Sequence, residues 1–161
     1  MSDARRDAVR VLLAEDEEHL GAILEAFLAG RGHAVRRVGD GRAAVALLHE
    51  VAFDVALLDV NMPELDGLDV LRAMATLDAA PEAVVMTGNA TADLGVAALG
   101  LGAYDYVTKP YRMADVEALV RRAAAFGRLR RENARLRARL LALDPTALDD
   151  AGGDAHPGTT R

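Results

Sequence analysis

Asp59 closes an apolar run, "DVALLD", and is followed by Asn61, Pro63 and the turn residues Asp66 and Gly67. A carboxylate at the mouth of a buried-looking strand is costly unless something uses its charge. Glu15 and Asp16 close another apolar run, "VRVLLA". Thr87 ends "AVVMT" just before Gly88, and Lys109 and Pro110 follow "AYDYVT". Three carboxylates brought together repel one another, so a hard divalent cation is their natural counterion. Mg²⁺ prefers oxygen ligands, keeps several waters and binds where phosphate chemistry occurs. A hydroxyl and an ammonium beside such a cluster suit a phosphoryl group: one donates to its oxygens and the other offers a compact positive charge. A carboxylate can also attack phosphorus and become an acyl phosphate. If these run ends meet, Asp59 is kept charged by a metal so that it can act as that nucleophile, with Thr87 and Lys109 beside it.

The surrounding elements are predicted to bring them together. Short β-rich runs (Val9–Ala14, Ala34–Val38, Asp54–Asp59, Ala83–Gly88, Ala103–Thr108) alternate with helical patterns (Glu17–Gly32, Asp40–Glu50, Gly67–Leu77, Thr91–Gly102, and a long one from Arg112). Five strand–helix units in order argue for a doubly wound α/β fold, a parallel sheet with helices on both faces. The first, third and fourth strands are nearly all apolar, as central parallel strands are. The second carries Arg36 and Arg37 and the fifth Asp105, which marks edges. The order 2-1-3-4-5 satisfies this ranking and is the flavodoxin-like (βα)5 arrangement, in which ligands sit at the carboxyl ends of the strands. Gly95 and Gly100 make the fourth helix the weakest, at about 1 kcal/mol for an interior glycine against alanine.

"VLLAEDE", "DVALLDVNMPELDG", "VVMTG" and "GAYDYVTKPY" together resemble the receiver domain of two-component response regulators, over about Arg10 to Ala124. The resemblance implies that Asp59 accepts phosphate from a histidine kinase or phosphotransfer protein. It implies that Glu15, Asp16, Asp59 and the backbone carbonyl of Asn61 form the Mg²⁺ site, Glu15 through water. Lys109 would contact the phosphoryl group, its bond to Pro110 being cis. Thr87 would be the switch hydroxyl and Tyr106 the aromatic that swings inward. Glu15 stands where many relatives carry Asp, a longer arm with the same charge. The implied protein is a cytoplasmic signalling phosphoprotein. It is not an enzyme beyond Mg²⁺-dependent self-phosphorylation and dephosphorylation.

Each residue also has a plainer role. Asp59 could cap a turn, and Glu15 and Asp16 could favour a helix N-terminus. Thr87 could serve as a β-former, Lys109 as a surface cation and Tyr106 as edge packing. His19, His33, His49 and His156 show no ligand spacing and are assigned nothing.

The chain has 161 residues, 52% of them hydrophobic, and no cysteine. That excludes disorder, a disulfide scaffold and thiolate chemistry. No apolar run suffices for a bilayer, and the N-terminus does not read as a signal peptide. Arg128–Arg139 holds six Arg and one Glu, a net +5, which leaves −11 for the rest of a chain whose total is −6. This basic stretch lies in a helix with an a/d seam: Phe126, Leu129, Asn133, Leu136, Leu140 and Leu143. In a parallel pair Glu132 would face the partner's Arg137, and Arg139 the partner's Asp144. From Arg112 to Leu143 such a helix is roughly 48 Å long. The expected organisation is a receiver over 1–124, a coiled-coil extension over 125–143 that forms a homodimer, and a polar tail or linker over 144–161.

"RRENARLRARL" also resembles the linker of sigma-54-dependent activators, so the chain could be a regulatory fragment of one. Three readings therefore compete with the dimerising receiver. The long helix could fold back on its own domain. The Arg-rich helix could bind DNA directly, although its arginines share the seam's heptads instead of preceding them. Asp59 could be the nucleophile of a phosphohydrolase, although Asn61 stands where that enzyme type carries its general acid. The cognate kinase, output partner and pathway are not legible.

Overall fold

The computed structural model describes residues 8–89 and 91–144. Most of the expected polar tail, residues 145–161, lies outside them. The chain divides into two compact units, one ending at Gly127 and the other beginning at Arg128.

The first unit alternates strands and helices: β1 (Arg10–Ala14), α1 (Glu18–Gly30), β2 (Ala34–Val38), α2 (Gly41–Glu50), β3 (Val55–Asp59), α3 (Gly67–Met74), β4 (Glu82–Thr87), α4 (Ala92–Gly100), β5 (Asp105–Thr108) and the start of α5 (Met113–Leu143). All strand pairs are parallel and the order is β2-β1-β3-β4-β5. The arginine-bearing β2 and the short β5 are the edges, as their charges predict. Every residue of β3 and β4 is buried.

Alternation along the strands builds two cores, because successive side chains point to opposite faces. Leu12, Ala14, Ala56, Leu58 and Val85 pack with residues of α2 and α3 and with Ala98 of α4. Val11, Leu13, Val55, Leu57, Val84 and Met86 pack with Leu24 and Leu28 of α1 and Val116, Leu119, Val120 and Ala123 of α5.

Side-chain caps fix where helices begin. The Ala43 N–H donates to Asp40 Oδ1 (2.7 Å), and Asp66 and Asp69 cap α3 reciprocally at 2.8 and 3.1 Å, which satisfies backbone donors that a helix start leaves free. Element ends otherwise fall within a residue or two of expectation, with one larger difference. α3 stops at Met74, not Leu77. The N–H groups of Ala75, Thr76 and Leu77 donate three residues back instead of four, and the Thr76 hydroxyl donates to the Ala73 carbonyl (2.8 Å). The last turn is thus tightened out of the α-helix.

A buried polar tie holds α5 to the opposite end of the sheet from Asp59. The Val9 N–H donates to His33 Nδ1 (3.2 Å), so Nε2 carries the proton and donates to Glu117 Oε1 (2.9 Å); Arg121 also donates to Glu117. Burial raises the Glu117 carboxyl, but the bonds from His33 and Arg121 outweigh it and hold the group below its ordinary value of 4.5. A carboxyl depressed on folding stabilises above its unfolded pKa, and that contribution is lost as pH falls through the folded one. Glu117→Ala strands a buried donor on His33 and should cost about 1–3 kcal/mol at neutral pH. The gap to the native chain should narrow as pH falls below about 4.5. Urea midpoints across pH test this, and a gap that widens on acidification would contradict it.

In the second unit, Leu129, Leu136, Leu140 and Leu143 of α5 are exposed. Among the described residues no helix is long and apolar enough to cross a membrane.

Candidate functional site

The carboxyl ends of β1, β3, β4 and β5 bring the expected residues together. Carboxylate oxygens of Glu15, Asp16 and Asp59 lie within 4.8 Å of one another. Glu15 and Asp59 are buried and Asp16 is exposed, so the cluster opens to solvent on the Asp16 side. Lys109 Nζ donates to Glu15 Oε2 (2.8 Å) and to Asp59 Oδ2 (3.2 Å). The remaining oxygens are held by the backbone: the Asn61 N–H donates to Asp59 Oδ1 (3.1 Å) and the Glu17 N–H to Glu15 Oε1 (3.1 Å).

Parallel pairing explains the convergence. β1 hydrogen-bonds on both edges and β3 lies beside it, so strands of matched length end side by side. Leaving the sheet, the Val60 N–H donates to the Met86 carbonyl (2.9 Å) and the Lys109 N–H to the Thr87 carbonyl (2.7 Å). The second bond ties the lysine's backbone to the threonine's, and the Lys109–Pro110 peptide that follows is cis.

Burial pushes the Glu15 carboxyl up to about 7; a bond shared with Asp59 adds to this and the Lys109 bond opposes it. Burial alone would lower the Lys109 ammonium, but its bond to Glu15 and the charge of Asp59 leave it raised. One ammonium among three carboxylates leaves the cluster negative. An all-oxygen donor set with one solvent-facing side fits a hard divalent cation that keeps waters, Mg²⁺ above all.

Thr87 is buried at the end of β4, and its hydroxyl is engaged on the β4–α4 loop. It donates to the Asn89 carbonyl (3.2 Å) and accepts from the Asn89 N–H (3.1 Å). Asn61 is exposed and meets Asp59 through its backbone. Tyr106 stands apart from the carboxylates, half-exposed on β5 against α4. Of the seam residues, Phe126 lies in the first unit with its ring 5.3 Å from that of Tyr104.

Sequence reasoning passed over three contributors. Gly67, the first residue of α3, sits so close to the end of β3 that a Cβ would lie 2.5 Å from the Asp59 carbonyl oxygen and 3.2 Å from Val60 Cα. A Cβ on Gly41, which opens α2, would lie 2.1 Å from the Leu65 carbonyl oxygen in the same loop. Both obstacles are backbone, so neither can swing aside. Gly67→Ala should therefore cost about 1–3 kcal/mol and displace Asp59, read as a lower urea midpoint with slower phosphoryl uptake; a variant unchanged in both would refute the close-approach role. Tyr111 is the third. Its buried hydroxyl has no hydrogen-bond partner among the described residues, and burial pushes it up to about 12. The "GL" and "KPY" contexts hint at a turn and at packing, but the contacts are tertiary.

Residues 11–121 match the family described as the response regulator receiver domain. Regulatory protein AtoC of Escherichia coli K12 is 32% identical over 123 residues, 76% of this chain and 27% of that protein. The structure of NtrX from Brucella abortus is 28% identical with a TM-score of 0.75, covering 82% of this chain and 31% of that one. The receiver domain of sensor histidine kinase PA1611 from Pseudomonas aeruginosa PAO1, solved with a magnesium ion coordinated in its active site cleft, is 27% identical. Its TM-score is 0.67, over 73% of this chain and 98% of that one. The chain thus spans less than a third of AtoC and NtrX.

Proposed function

Because the chain belongs to the response regulator receiver domain family, whose members interact with histidine kinases or phosphotransfer proteins, we propose that Asp59 is its phosphoacceptor. The single observation that carries this is the buried Asp59 carboxylate, joined to Lys109 and clustered with Glu15 and Asp16. Asp16, Asp59 and the Asn61 carbonyl would hold Mg²⁺, with Glu15 acting through water. The bound ion supplies positive charge to the oxygens of the transferring group.

Asp59 gives an oxygen lone pair to phosphorus. The P–O bond forms as the P–N bond of the donor phosphohistidine breaks, and its electron pair stays on the imidazole nitrogen. The Asn61 N–H and Lys109 Nζ hold the two Asp59 oxygens, which fixes the carboxylate before attack. Lys109 then pairs with a phosphoryl oxygen. The Thr87 hydroxyl exchanges the Asn89 carbonyl for another, and Tyr106 turns inward. Water later hydrolyses the acyl phosphate. The chain acts on no other substrate and works in the cytoplasm through protein contacts. Its output runs from a receiver over 1–124 through a coiled-coil dimer over 125–143, as the regulatory part of a longer activator or alone.

Intact mass after acetyl phosphate treatment tests the reading. The protein should gain one phosphoryl group with Mg²⁺ and lose that capacity on chelation. No gain, or a gain indifferent to the cation, would refute it.

A further inference from the structure

Gly95 of α4 is buried although it has no side chain. What lies against it is the ring of Tyr106 on the neighbouring strand: a Cβ at Gly95 would lie 2.9 Å from Tyr106 Cε1, 3.0 Å from Cζ and 3.2 Å from the hydroxyl oxygen. The ring sits flush on helix backbone, with Tyr106 37% exposed. The three atoms nearest such a Cβ are all at the far end of one flexible side chain. A methyl group there displaces the ring and leaves the helix where it is.

The same helix begins at the loop that Thr87 holds. The Thr87 hydroxyl exchanges two hydrogen bonds with the Asn89 backbone, and the Asn89 carbonyl accepts from the Thr91 N–H (3.0 Å). Thr91 caps α4, its hydroxyl accepting from the Leu94 N–H (3.3 Å) and its carbonyl from the Gly95 N–H (3.3 Å). A continuous run of contacts therefore joins Thr87, beside the carboxylates, to the glycine under Tyr106.

We infer that Gly95 is a positioning residue that seats Tyr106 in its outward orientation, so that filling the seat shifts the protein toward the phosphorylated arrangement without phosphate. This rests on the switch roles of Thr87 and Tyr106 given under the proposed function. Gly95→Ala should reproduce part of what a phosphoryl group does, because it makes the outward ring position sterically costly while leaving Asp59, Asp16 and Lys109 untouched. Gly100→Ala is the control: it lies in the same helix, at its last residue, replaces glycine by alanine in the same way, and its Cβ meets nothing within 4 Å.

The test is ring ¹³C NMR of the full chain labelled at tyrosine, with the Tyr106 signal identified by Tyr106→Phe. Spectra are compared with and without beryllofluoride and Mg²⁺. In the absence of beryllofluoride, Gly95→Ala should move the Tyr106 signal toward its position in the beryllofluoride-saturated native protein, and Gly100→Ala should leave it in place. If the native Tyr106 signal responds to beryllofluoride but not to Gly95→Ala, or moves the other way in that variant, the seat is overturned and the switch role stands. If beryllofluoride shifts the backbone amide signals around Asp59 in a uniformly ¹⁵N-labelled sample and leaves the native Tyr106 ring signal unmoved, the switch role falls and the inference falls with it.

Discussion

Asp59→Asn is expected to take up no phosphoryl group from acetyl phosphate, where the native chain gains one. The substitution keeps the size of the side chain and an oxygen that can accept the Asn61 N–H bond, now 3.1 Å to Oδ1. It removes the charge and the nucleophilic lone pair that form the acyl phosphate. Lys109 keeps its shorter bond to Glu15, 2.8 Å against 3.2 Å to Asp59, so the ammonium is not stranded and the fold should persist. Intact mass reads the loss, and a melting curve on the same sample confirms that the protein is folded. Retained uptake would transfer the acceptor role to Glu15 or Asp16 and overturn the assignment.

Leu136→Glu with Leu140→Glu is expected to turn a dimeric full-length chain into a monomer that still accepts phosphate. Both leucines are more than half exposed along α5, so charge there costs the single chain little. In a parallel pair they occupy d and a positions, where burial of each leucine is worth about 1.5–3 kcal/mol. Two from each chain exceed about 5 kcal/mol, more than a seam of roughly three heptads can lose. Asn133→Leu should act oppositely, tightening association while admitting slipped or higher-order assemblies, because an asparagine at an a position selects an in-register pair at a cost in stability. Light scattering across concentration, with and without beryllofluoride, measures both. A native chain that stays monomeric throughout would remove the coiled-coil reading.

The site was legible because its residues follow apolar runs that the fold aligns. Asp59, Glu15, Thr87 and Lys109 each announce the end of a strand, and a parallel sheet puts such ends on one edge. The strand order was legible for a similar reason, since Arg36 and Arg37 could not lie in a strand covered on both sides. What stayed hidden depends on tertiary approach. His33 and Glu117 are separated by 84 positions, and neither occupies a pattern that distinguishes a buried pair from two surface residues. Gly67 looks like an ordinary turn glycine until the Asp59 carbonyl is seen beside it. Gly95 reads only as a weak point in a helix, because the ring that covers it belongs to the next strand.

The strand order also bears on how a nascent chain acquires structure. Of the five strands of this sheet β1 is synthesised first, and its buried positions are all apolar. One edge is covered when Ala34–Val38 becomes available, but the other waits for Val55–Leu58. Chains emerge at about 5–20 residues per second, so Val11 to Ala14 pass several seconds as an apolar ribbon with an open side. A template of that kind invites pairing with the wrong chain. The smallest piece that covers both edges of β1 ends at Leu58, so the first segment able to protect itself from aggregation is complete one residue before the carboxylate proposed to carry the signal.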